Sequence, residues 1–263
     1  MSNYVRTKTY YCGEQYREID VFTMAETEIN NRCRKYKQNM TAPKQKRLNT
    51  KMAQRYFALL IKTNFGARDY HLTLTYDDAY LPESIEAAER EVKNYVRRLA
   101  RKRKAKGLDA LKYIIVTEKS EKGRIHHHLI INGGISRDEV EDLWRRPRRK
   151  GQKQGDALGY ANARRLQITD QGLDALAGYL SKDPKGRKRW IPSQNLEKPQ
   201  VSVSDTKTSK RKFYQMTLWP EDCEKIKEHF ETQNPGFEMT ECQKKYNAET
   251  STWYFTVKMR RRI

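Results

Sequence analysis

Two runs of strand-forming residues, Tyr113-Ile-Ile-Val-Thr-Glu118 and Ile125-His-His-His-Leu-Ile-Ile131, flank the short polar stretch Glu121-Lys122-Gly123. Glycine takes positive φ without steric cost, so Glu121-Lys122-Gly123 reads as a three-residue hairpin loop. A ribbon closed by that loop has a fixed register, which sets Glu118 opposite His126. Directly opposed side chains lie about 4.5–5.5 Å apart at Cβ, and a bulge would slip the pairing by one residue. Side chains alternate along a strand, so His126 and His128 share one face about 6.6 Å apart, and His127 points to the other. Two imidazoles and a carboxylate gathered on one face suit a divalent ion used as a Lewis acid, with open positions for substrate oxygens. The plain alternative is a polar hairpin with a chance histidine run. A tag is out of place in mid-chain between strand-like segments.

The flanking pattern extends this ribbon into a sheet. Tyr70-His-Leu-Thr-Leu-Thr-Tyr76 alternates and reads as a strand. After Pro82, residues Ile85, Ala88, Val92, Tyr95, Val96 and Leu99 recur at helical spacing. Ser136 is a helix cap for a segment running to Trp144. Arg164 to Ile168 is a short strand candidate, and Asp170 caps a helix ending near Pro184. The order β-α-β-β-α-β followed by a helix is the split βαβ pattern of a ferredoxin-like antiparallel sheet, an α+β fold. Such a sheet has one face covered by helices and one free for a ligand.

Outside that block the chain divides by composition. Residues 1–66 open with a Tyr-rich segment able to form short strands and continue as basic, mostly helical sequence with a break at Thr41-Ala-Pro. Residues 67–200 hold the sheet. Residues 201–263 read as a separate small α/β piece: a strand over Phe213–Trp219, a helix from Pro220 through Phe230, and a strand over Trp253–Val257, with the aromatics in its core.

The charge balance narrows the partners. The chain of 263 residues carries 54 basic and 33 acidic side chains, a net +21. An excess of that size calls for a polyanion, most simply nucleic acid. No apolar run approaches the roughly 20 residues of a spanning helix, and Met1-Ser-Asn-Tyr shows no signal or lipidation pattern. The four cysteines are scattered without a Cys-x-x-Cys pair, which argues against a disulfide scaffold or a zinc knuckle. The expectation is a soluble, reduced, cytoplasmic protein.

A second pair of residues carries chemistry. On the helix near residue 175, Leu173, Leu176, Ala177 and Leu180 form a buried stripe, and Tyr179 and Lys182 point away from it one turn apart. A half-buried tyrosine with a solvated lysine is common on any helix, so alone the pair says little. An ordinary phenol near pKa 10 is ionised about one part in a thousand at neutral pH, a deficit of roughly 4 kcal/mol. A neighbouring ammonium reduces that deficit and stabilises charge on a phosphate. Beside a metal that polarises the same phosphate, these parts describe a transesterification leaving a phosphotyrosine bond.

Leu72-Thr-Leu-Thr-Tyr76, Glu118 with His126-His127-His128, and Tyr179-Leu-Ser-Lys182 resemble the three ordered motifs of rolling-circle replication initiators. These belong to the His-hydrophobic-His (HUH) superfamily of single-strand endonucleases, whose fold is a ferredoxin-like, RRM-like sheet. The resemblance spans roughly residues 67–200. Gly123-Arg-Ile-His-His-His-Leu-Ile and Trp190-Ile-Pro-Ser-Gln-Asn-Leu196 are similar to initiators of bacterial plasmids, integrative elements and phages. It implies that His126, His128 and Glu118 bind Mg²⁺ or Mn²⁺, that Tyr179 is the nucleophile and that Lys182 assists at the phosphate. The product would be a 5′-phosphotyrosine link with a free 3′-OH that primes a host DNA polymerase. One departure stands out: the middle residue, His127, is not hydrophobic, and it is not counted as a ligand.

Motif order and absences refine the resemblance. Conjugative relaxases carry their tyrosine before the histidine pair, and here it follows. A second tyrosine one turn earlier is missing, because position 175 is Ala. These features favour a single-tyrosine initiator acting on single-stranded or hairpin origin DNA. Single-tyrosine transposases, usually shorter and with glutamine near the nucleophile, are the alternative within the superfamily. A non-catalytic nucleic-acid-binding module on the same sheet is the alternative outside it. No G-x-x-x-x-G-K-[ST] loop is present, so unwinding would fall to a separate helicase. Two basic clusters flank the site. Residues 97–106 sit on a helix end and read equally as a solvated face. Arg145, Arg146, Arg148, Arg149 and Lys150 lie in a loop and are the favoured DNA-backbone contacts. Trp144 beside them suits base stacking and core packing equally.

Overall fold

The protein is described by a computed structural model covering residues 3–25, 43–181, 190–248 and 251–262. In chain order its elements are β1 (Asn3–Cys12), β2 (Tyr16–Ala25), α1 (Pro43–Asn64), β3 (Tyr70–Leu74), α2 (Ile85–Ala105), β4 (Tyr113–Lys119), β5 (Ile125–Ile131) and α3 (Arg137–Asp142). There follow β6 (Ala161–Arg165), α4 (Asp174–Leu180), β7 (Ile191–Pro192), β8 (Gln200–Ser204), α5 (Lys210–Leu218), α6 (Glu224–Gln233), β9 (Phe237–Asn247) and β10 (Thr252–Arg261). They form two compact units, one of residues 64–168 with 175–197, the other of residues 1–63, 169–174 and 198–263.

The first unit is built on the sheet β6-β3-β5-β4-β7. Its first four positions are the strand order of the split βαβ pattern, and every pairing is antiparallel. Helix α2 starts where the Ser84 hydroxyl accepts the Ala87 amide, a capping bond that satisfies one of the helix's orphan donors. Its stripe Ala88, Val92, Tyr95, Val96 and Leu99 packs on Leu72, Leu74, Ile115, Leu129 and Ile131. Helix α3 opens with a capping box between Ser136 and Glu139, and the Tyr95 hydroxyl donates to the Val140 carbonyl across the two helices. Strand β6 ends at Arg165, earlier than the expected Arg164–Ile168, because its partner β3 begins at Tyr70 and Tyr70 pairs with Arg165. The reciprocal Thr169–Gly172 bonds form a turn with Gly172 at φ +69°, which delays α4 to Asp174. The motif after Trp190 locks the other edge of the sheet: β7 pairs with β4, and Ser193 exchanges bonds with the Tyr113 backbone.

The second unit is the sheet β8-β1-β2-β10-β9. Val5, Ile19, Val21, Phe255, Val257 and Met259 on one face meet Phe213, Met216, Ile226 and Phe230 of α5 and α6. The opposite face buries charge: Arg55 of α1 forks onto Asp20 at 2.7 and 2.8 Å and reaches Glu18 at 3.1 Å. Two sequence expectations change here. The start of the chain gives two ten-residue strands before its helix, and residues 201–263 share a sheet with them instead of standing apart. Phe213–Trp219 is helical: Ser209 caps α5, and Phe213 and Met216, three apart, point into the core together. The strand expected at Trp253–Val257 lies within β10.

Candidate active site

The hairpin positions the site. Strands β4 and β5 pair with Glu118 opposite His126 and Val116 opposite His128. Ser120 donates its amide to the Arg124 carbonyl, and Gly123 takes φ +82°, the left-handed conformation that glycine adopts without penalty. The register read from the loop is therefore the register of the fold.

Alternation then sorts the three histidines. His127 turns to the helix side, where it is fully buried, with Nδ1 2.9 Å from Thr117 Oγ1 and Nε2 2.9 Å from Tyr76 Oη. Burial drives its pKa down to about 3, so it is a neutral member of the core. Polar partners at both ring nitrogens explain why an imidazole can stand at a position expected to be hydrophobic.

His126 and His128 face the other way, with ring centroids 5.2 Å apart. His126 Nε2 lies 3.5 Å from Glu118 Oε2. Ligand atoms of Glu118, His126 and His128 all fall within 4.8 Å of one another. One divalent ion can be reached by all three at that spacing, and the mixed nitrogen–oxygen set suits a first-row cation with open coordination positions. Among the described residues, no other group of His, Cys, Asp and Glu gathers this way.

A residue that sequence reasoning missed orients the set. His71 Nε2 is 3.3 Å from His128 Nδ1, and Thr73 Oγ1 is 3.4 Å from the same nitrogen. Outer contacts of this kind fix a ligating imidazole's tautomer and ring angle. Burial, helped by Arg164, lowers the His71 pKa. The signal was available: alternation on β3 puts His71 and Thr73 on one face, and Thr73 pairs directly with His128.

Helix α4 brings Tyr179 to this face. Ala177 and Leu180 are buried, while Tyr179 is 45% exposed. Its ring packs edge-on against His128, centroids 5.4 Å apart at 79°. Lys182 lies outside the described residues.

The basic loop is also beside the site's end of the sheet. Arg146, Arg148, Arg149 and Lys150 are exposed and Arg145 is half-buried against Asp142. The loop returns along the end of β3, where Tyr160 and Leu158 carbonyls accept the Thr75 and Asp77 amides. Trp144 belongs to the core, 1% exposed, with its indole N–H donating to the Thr75 carbonyl.

No helix among the described residues is long and apolar enough to cross a membrane. Neither a curated protein nor a solved structure matches the chain. Residues 69–184, which contain the whole of this site, match the family described as Replication-associated protein ORF2. With that match, residues 69–184 form a domain of the replication-associated protein ORF2 family.

Proposed function

We propose that this domain initiates rolling-circle replication by nicking and rejoining single-stranded origin DNA through Tyr179. The observation that supports the reading best is the Tyr179 ring lying against His128, one of the three side chains grouped as a cation site. Glu118, His126 and His128 would hold Mg²⁺ or Mn²⁺, which supplies Lewis-acid polarisation of the scissile phosphate. Tyr179 Oη attacks that phosphorus, a bond forms from the phenol oxygen to the 5′ phosphate, and the bond from phosphorus to the 3′ oxygen breaks. The proton given up by the phenol is balanced by the one the 3′ oxygen gains. Rejoining is the same exchange run backwards, with the 3′-OH as nucleophile. By resemblance, Lys182 steadies charge at the phosphate. Arg145, Arg146, Arg148, Arg149 and Lys150 hold the DNA backbone, which carries affinity without reading sequence.

The free 3′-OH would prime a host polymerase while a separate helicase unwinds the duplex. Incubation with single-stranded DNA from beside the gene and Mn²⁺ should give a denaturant-resistant protein–DNA adduct. A protein that binds the DNA and never forms the adduct is a binding module instead, and activity confined to element ends would mark a transposase.

A further inference from the structure

Edge strand β6 continues the open face of the sheet past the metal site. Its Asn162 stands opposite Thr73 and its Arg164 opposite His71. Together with Tyr160 these four residues line an open groove of about 260 Å³. The floor is therefore shared with the metal site, because His71 and Thr73 are the two groups that meet His128 Nδ1.

The groove's outer wall is pre-arranged. Asn162 Nδ2 donates to the Tyr160 hydroxyl at 3.0 Å, and Arg164 Nε donates to Asn162 Oδ1 at 3.0 Å. This chain of bonds anchors a ring that is nevertheless 63% exposed, a large cost in solvated aromatic surface unless something covers it. Gly159 brings the chain there: at φ +153° it approaches the Thr75–Asp77 backbone so closely that a Cβ would sit 2.5 Å from the Thr75 carbonyl oxygen. The Tyr160 carbonyl then receives the Thr75 amide at 2.8 Å, which pins the residue beside β3. A rigid aromatic face, an amide and an exposed guanidinium beside one another are the elements of a stacking platform with a phosphate contact.

The geometry points to a nucleotide subsite of single-stranded DNA in this groove, next to the nucleotide at the metal site. A base stacks on Tyr160, and Arg164 meets the adjoining phosphate. The assignment rests on the reading that the domain acts on single-stranded DNA at the Glu118–His126–His128 face. Stacking is tolerant of sequence, so the subsite adds affinity and fixes where the strand lies without selecting a base.

The test uses the full chain and an oligothymidylate carrying 5-iododeoxyuridine. Irradiation should crosslink the DNA to the peptide containing Tyr160. Tyr160→Ala should weaken binding, followed by fluorescence anisotropy, about tenfold, with Tyr160→Trp restoring it. Arg164→Gln should reduce the slope of log affinity against log salt by about one phosphate. Unchanged affinity in Tyr160→Ala, or crosslinks mapping only to other elements, would overturn the subsite. A Tyr160-dependent crosslink in a protein that never forms the covalent adduct would uphold the subsite and remove the nicking reading. Normal adduct formation with DNA affinity indifferent to Tyr160 would do the opposite.

Discussion

The Tyr179 ring stands at 79° to the His128 imidazole, edge to face, with centroids 5.4 Å apart. The packing belongs to the ring and the proposed chemistry to the hydroxyl, so the two can be separated. Tyr179→Phe keeps the ring on a helix whose buried residues, Ala177 and Leu180, are untouched. Its stability should stay within about 0.5 kcal/mol of wild type, as for surface changes that remove no buried partner. It should bind single-stranded DNA normally and form no covalent adduct. An adduct that survives in Tyr179→Phe would remove this residue from the nucleophile's role.

The three consecutive histidines should respond differently to substitution. Partners that only orient a ligand are worth about 10–100-fold in metal affinity, so His126→Ala or Glu118→Gln should weaken Mn²⁺ binding by about a hundredfold or more, with little change in folding. His127→Ala should do the reverse. It opens a cavity and strands the hydroxyls of Thr117 and Tyr76 in the core, at a cost of about 2–4 kcal/mol. Titration calorimetry with Mn²⁺ and urea unfolding on the same three variants would resolve the two patterns. Chelation should abolish the adduct without unfolding the domain.

That contrast was legible in the sequence, because local rules govern it. A three-residue loop with glycine at the left-handed position fixed the register of β4 and β5, and period-two alternation sorted His126 and His128 from His127. His71 needed one more step, the pairing of β3 with β5, which no turn links. The shared sheet of β1, β2 and β10 was out of reach for the same reason: Val21 pairs with Phe255 across nearly the whole chain, and no short-range signal encodes that partner. Phe213–Trp219 misled because aromatic residues fit strands and buried helix faces alike. What separates them is the Ser209 cap, a single hydroxyl.

His229 gives the second unit a pH response. It lies on α6 with its ring against Phe230 and its Nε2 3.3 Å from Gln233. Burial, reinforced by the charge of Lys212, lowers its pKa to about 4. An unfolded histidine titrates near 6.5, so below that pH the unfolded chain takes up a proton that the folded protein refuses. Stability from this group is complete above about pH 6.5 and is lost as pH falls toward 4. The ring is partly solvated, so the loss by pH 4 should be about 1–2 kcal/mol. His229→Gln should flatten the decline in urea-unfolding free energy between pH 6.5 and 4. Parallel curves for the two proteins would show that another group sets it.

Charge pairs in the second unit should differ by how deeply they are buried. Lys62 Nζ sits 3.1 Å from Glu18 and 2.6 Å from Asp174, with its side chain 2% exposed. Burial works to lower the pKa of this ammonium, and Glu18 and Asp174 together overcome it, so it is held above its ordinary value and stays charged. Asp174 also meets Lys258 at 2.9 Å, and Glu18 meets Arg55 at 3.1 Å, so each carboxylate shares its charge between two cations. Lys62→Met fills the same volume but leaves two acids with one cation fewer, in a place water does not reach. Breaking a buried pair from one side costs about 3–5 kcal/mol. The Arg6–Asp205 pair makes the opposite case: both of its bonds are short, at 2.8 and 2.9 Å, yet both residues are substantially solvated. Arg6→Ala should change stability by less than about 1 kcal/mol, because an exposed pair gains little over water and is screened by salt. Urea midpoints at low and high salt would test both expectations: the Lys62→Met loss should persist in salt, and any Arg6→Ala loss should vanish. Equal losses in the two variants would mean that the Lys62 cluster is open to water.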